Sequence, residues 1–124
     1  MLSDEEFARA VQEIFESLPD LFQQKMENVR IAIEEQPSGE TLRKMGIRNP
    51  SDLLGLYEGV PLTKRGEGYG MYPVVPDTIS LYKKNIERGA RSVEEVRQRI
   101  RSVLIHEIAH YYGMNEEEVR AAGY

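Results

Sequence analysis

The 124-residue chain contains no cysteine, so disulfides and thiolate metal ligands are both excluded. No apolar run approaches the roughly 20 residues that a membrane-crossing helix needs. A basic excess is missing too: 16 Lys and Arg stand against 21 Asp and Glu, for a formal net charge of −5. Such a balance disfavours non-specific binding to nucleic acid or to anionic membrane surfaces. The start, Met1 to Glu6, is acidic and has neither the basic nor the apolar region of a signal peptide. Together with the absence of cysteine, this predicts a cytoplasmic protein. There is no internal repeat and no low-complexity tract. The glycines at Gly66 and Gly68 do not open a dinucleotide fingerprint, because the next glycine would have to stand where Met71 is. Histidine is the scarcest of the residues present, at two.

What is there is ordinary in amount and informative in order. A hydrophobic content of 40% and a charged content of 30% predict a soluble globular protein. The length fits a single domain, 1–124, with one modest core. Ser3-Asp4-Glu5-Glu6 is a capping box that predicts a helix over about residues 4–17, with Phe7, Ala10, Val11, Ile14 and Phe15 along one face. Asp20 to Glu27 reads as a second short helix with Leu21, Phe22 and Met26 inward. Residues 28–34 are rich in β-branched types and read as a strand. A turn follows at 37–39, then a helical turn closed by Gly46, and a further turn reaching Leu53 and Leu54. Residues 54–62 read as a short strand running into a loop. Residues 63–76 are irregular, and Tyr69 or Tyr72 there would touch substrate if the loop were an active-site flap. Asp77 to Lys83 alternates, which predicts a half-buried strand with Ile79 and Leu81 facing the core.

Both histidines fall in one helical segment. Ser92-Val93-Glu94-Glu95 reads as a second capping box, and Val93, Val96, Ile100, Leu104, Ile108 and Tyr111 recur as its core stripe. The second half of this helix is apolar nearly all round, so its C-terminal end is expected to be the buried one. In that half stands His106-Glu107-Ile108-Ala109-His110, an H-E-x-x-H sequence. Residues i and i+4 lie on one helix face, so the two imidazoles can grip a single Zn²⁺, with Glu107 beside it as general base. The sequence continues as H-x-x-G-x-x-E. Gly113 would end the helix in a left-handed residue and swing the chain back. Glu116 is then placed to give the third ligand, with Glu117 as the alternative. Asn115 also suits a helix N-cap, a role that does not compete with ligation by Glu116. A plainer account leaves the histidines as ordinary helix residues satisfied by carbonyls or water, and explains their spacing only by coincidence.

The stretch His106 to Glu116, the segment Leu54-Gly55-Leu56-Tyr57-Glu58-Gly59-Val60-Pro61, and Thr78 to Tyr82 resemble the minimal zincin-like metallopeptidases. That resemblance implies an α+β fold in which a small mixed sheet packs against the C-terminal motif helix, with further helices behind. It implies zinc on His106, His110 and Glu116, with Glu107 as the catalytic base. It also implies a peptide or protein substrate lying along an exposed edge strand, for which 56–58 and 78–82 are the candidates. The chain departs from the metzincins, which place a third histidine where Glu116 stands. The expected activity is zinc-dependent peptide hydrolysis. The alternative is a non-proteolytic zinc-binding module with a structural or regulatory role, closed by four protein ligands instead of three and a water. Tyr111, Tyr112 and Tyr124 are further candidates for contact with a reacting group, though packing accounts for each.

Overall fold

The computed structural model describes residues 1–24, 26–64 and 77–124. The proposed flap residues Tyr69 and Tyr72 lie outside the described residues. The described part is α+β. Helix α1 (Asp4–Ser17) is followed by α2 (Asp20–Gln23), β1 (Val29–Glu34) and α3 (Gly39–Met45). After a single helical turn at Pro50–Asp52 come β2 (Gly55–Glu58) and another turn at Leu62–Lys64. Then follow β3 (Asp77–Tyr82), α4 (Lys83–Glu87), α5 (Val93–Tyr111) and α6 (Glu116–Ala121). None of these helices is long and apolar enough to cross a membrane.

The sheet is mixed, in the order β1-β3-β2. β1 runs parallel to β3, with Ile31 opposite Ile79 and Ile33 opposite Leu81. β2 runs antiparallel to β3, with Leu56 opposite Ser80. Period-2 alternation puts Val29, Ile31, Ile33, Ile79 and Leu81 on the face that joins the core. Across that core lie α5, through Val96, Ile100, Leu104 and Ile108, and α1, through Phe7, Ala10, Val11 and Ile14. The capping box of α1 forms as expected. The Ser3 hydroxyl accepts from the Glu6 N–H at 3.1 Å, and the Glu6 carboxylate accepts from the Ser3 N–H at 2.9 Å.

Several expectations are corrected. β3 is the central strand, so 78–82 is not an edge, and of the two candidates only 56–58 is an outer strand of the described sheet. Nor is β3 half-buried. Ser80 and Tyr82, assigned by alternation to the outer face, are both buried. Part of the cause is Asn85, whose Nδ2 donates to the carbonyls of Pro50 and Leu53, each at 2.7 Å, and ties that segment beside the end of the strand. The second helix stops at Gln23, a single turn, and Leu21 is exposed. Leu53 and Leu54 follow their turn and are not part of it. Val93 is exposed at the first turn of α5, before the helix reaches the sheet. Ser92 caps Glu95 N–H, but the Glu95 carboxylate takes the N–H of Arg91 in place of Ser92, so the expected box is only half formed.

Candidate metal centre

α5 becomes buried towards its C-terminus, where Val103, Leu104, Ile105, Ile108, Ala109 and Tyr111 all have low exposure. His106 and His110 emerge on the flank of this buried segment, their rings 4.8 Å apart at the centroids. The helix ends in a left-handed reversal. Gly113 has φ 96°, its N–H bonds the carbonyl of His110, and the N–H of Met114 bonds that of Ala109. This is the Schellman pattern, and a side chain at a positive φ would strain it. The chain turns, Asn115 caps α6 by accepting from Glu118 N–H at 2.8 Å, and Glu116 comes back over α5. Capping by Asn115 and the inward aim of Glu116 therefore coexist.

One oxygen of Glu116, Oε1, stands 2.9 Å from Nε2 of His106 and 2.8 Å from Nε2 of His110. These three donor atoms lie within 4.8 Å of one another. Glu117 is not part of that group. Nδ1 of His110 lies 2.8 Å from the carbonyl oxygen of Met114, which can only accept, so Nδ1 carries a hydrogen. A neutral ring with its hydrogen on Nδ1 would offer the Nε2 lone pair to a metal. Two imidazole nitrogens and one carboxylate oxygen form a donor set suited to Zn²⁺ at about 2.0–2.2 Å from each. Bonding to the ring nitrogen of His106 does most to hold the Glu116 carboxyl below the usual carboxylate range; burial opposes it, and the bond to His110 adds to it.

Glu107 points into the protein beside this group and is buried. Its Oε1 accepts the backbone N–H of Tyr57 in β2 at 2.9 Å. Burial lifts the Glu107 carboxyl above the usual range, opposed by His110, His106 and the Tyr57 N–H. A carboxylate raised in this way is better suited to hold a proton near neutral pH. The Tyr57 hydroxyl in turn donates to Oδ2 of Asp77 at 2.8 Å, and its ring meets that of Tyr111 edge-on at 5.7 Å. Helix and strand approach closely here. A Cβ on Gly55 would lie 2.5 Å from Cγ1 of Val103 and 3.4 Å from Cγ of Glu107.

The sequence offers no sign of Tyr57 or Asp77 as supports of Glu107. The bond from Tyr57 to Glu107 spans 50 positions, and its strand half is a backbone group that every residue except proline carries. Of the tyrosines, Tyr111 is buried among rings, and the Tyr112 hydroxyl sits between the carbonyls of Leu21 and Gln24, which share its one hydrogen. Tyr124 packs edge-on against Phe22 and borders a cavity beside His106. That cavity, of about 390 Å³, and a second of about 480 Å³ both open on Glu107, His110 and Glu116. A family model of zincin-like metallopeptidases matches residues 26–124. No curated protein matches the chain.

Proposed function

The chain belongs to the zincin-like metallopeptidases, and from that premise we propose that it is a zinc-dependent peptidase whose metal is held by His106, His110 and Glu116. The observation that carries this reading is the convergence of those three donors beside the buried carboxylate of Glu107. Held by these three residues, zinc would supply polarisation of the scissile carbonyl and a lowered pKa, about 7, for its water. Glu107 takes the proton of the attacking water and later passes it to the leaving amine. The Tyr57 N–H fixes one oxygen of Glu107, so the carboxylate keeps its orientation while it is loaded and unloaded. The peptide lies along β2, the outer strand of the described sheet that borders the site. Among the described residues three donors converge, which supports a centre with a position left for water over a closed structural one.

The test is metal content. Untagged protein purified without added metal is expected to carry about one zinc per chain, and the His106→Ala/His110→Ala double variant none. Glu107→Gln should keep its zinc and lose turnover by about 10²–10⁴-fold. Undiminished hydrolysis by Glu107→Gln would remove the base from the mechanism, and a chain that takes up no zinc on titration would remove the proposal.

A further inference from the structure

We infer that the smaller of the two cavities is a side-chain pocket, and that the preferred substrate is a peptide with a large aliphatic or aromatic residue next to the bond that is cut. The inference rests on the peptidase reading and names the substrate class for the same site. The cavity is walled by three separate elements: Met45 at the end of α3, Leu53 and Leu54 ahead of β2 with Leu56 within it, and Val103 on α5. Its volume of about 390 Å³ lies at the small end of ligand pockets, which run from roughly 300 to 1,000 Å³. It ends on His106, Glu107, His110 and Glu116, so whatever fills it sits against the reacting centre.

Two observations favour an apolar occupant. Met45 is 46% exposed and Leu54 37%, although both are large and apolar. A single exposed hydrophobe needs no explanation, but two lining one concavity at a site of chemistry form an uncovered apolar patch. The second observation is charge. Among the described residues, outside the metal group and Glu107, Asp52 is the only charged residue lining this cavity, and it disfavours an acidic side chain. The cavity on the other side of the metal group shares Met45 and carries Lys64 where the first carries Asp52, so the two differ in the sign of the charge at their walls. Burying a leucine or phenylalanine side chain in the cavity at Leu54 should give about a ten- to hundredfold preference over alanine at that position.

Mixed-sequence peptides incubated with zinc-loaded protein, with products read by mass spectrometry, test the preference. Cleavage is expected to cluster beside Leu, Phe, Met or Ile, at least tenfold over Asp. Leu54→Asp puts a charge on the wall, and Ser102→Trp fills the cavity from an exposed position of α5. Both should erase most of the preference while zinc content and circular dichroism stay unchanged. A second readout does not depend on turnover. The methyl resonances of ¹³C-labelled Leu54, which lines this cavity and not the second, assigned with Leu54→Val, should shift on titration with acetyl-Ala-Ala-Phe-Ala-amide and not with the analogue carrying Asp in place of Phe. Cleavage indifferent to side chain, or Leu54 methyls that answer both peptides alike or neither, would overturn the pocket. Absence of zinc or of turnover would count against the peptidase reading, and the Leu54 titration would still decide the pocket.

Discussion

The proposed ligands come from two regions built in different ways. His106 and His110 ride on the part of α5 where Val103, Leu104, Ile105, Ile108 and Ala109 are buried, so their backbone is fixed by the main core. Glu116 opens a six-residue helix with one buried residue, Val119, and its own side chain is 57% exposed. Its position follows from a glycine reversal and a cap, not from packing. The lesson is that the nitrogen pair is set by the fold, whereas the carboxylate is set by local backbone chemistry. A short helix of this kind belongs to the low-stability end of a structure, where opening costs least. Zinc binding should therefore stabilise α6 more than it stabilises α5.

The largest break in this comparison comes from removing the ligands themselves. Losing a group that only supports a ligand typically costs about 10–100-fold in metal affinity, and losing a ligand should cost more. His110→Ala is expected to exceed that range and leave no zinc after dialysis. Glu116→Ala should also exceed it, while Glu117→Ala stays within error. Competition with a chelator of known affinity measures all three. An equal loss in Glu116→Ala and Glu117→Ala would mean that the exposed helix can offer either carboxylate, and that α6 is less fixed than its caps indicate.

A second break acts on the packed region alone. At Gly55 the edge strand approaches α5 so closely that an added methyl would overlap Val103 and crowd the carbonyl of Ser80 at 3.1 Å. Overpacking of this kind costs about 1–3 kcal/mol. Gly55→Ala should lower the melting temperature by several degrees and move β2 off the helix, carrying the Tyr57 N–H away from Glu107. The expected signature is a loss of turnover with zinc retained, because His106 and His110 stay on α5. Thermal melts and metal analysis on the same sample check it. Unchanged stability would show that strand and helix part freely at this point.

The same contrast explains what could be read in the sequence. Local rules are visible in a linear chain. The Ser3–Glu6 box, the apolar face of α1, the spacing of His106 and His110 and the turn at Gly113 each span only a few residues, and each appears where expected. The Asn115 cap was legible on the same grounds. What a single sequence hides is the order of strands. Nothing in Thr78 to Tyr82 announces that β1 and β2 flank it, so alternation suggested an open face that Tyr82 contradicts at 1% exposure. The support of Glu107 by Tyr57, and of Tyr57 by Asp77, was hidden for a similar reason, since these contacts join residues 50 and 20 positions apart. Leu21 and Val93 depart from the pattern because an apolar residue in helical register faces inward only where the helix has something to pack on.

The smallest expected effect sharpens the comparison most. Asn115 accepts from Glu118 N–H and donates its own N–H back to the Glu118 carboxylate at 3.2 Å, so it closes α6 reciprocally. Asn115→Ala removes the side-chain half of this box, at a cost of about 1 kcal/mol. If α6 opens as a unit separate from the core, that cost appears locally: amides in 116–121 exchange about fivefold faster, while those of 103–111 keep their rates. Zinc affinity should fall by a similar few-fold factor, because Glu116 spends less time above the imidazoles, and the melting temperature should hardly change. Hydrogen exchange on the metal-free protein reads the difference directly. Equal acceleration in both segments would mean that α6 and the end of α5 unfold together, and that the carboxylate is as firmly part of the fold as the two histidines.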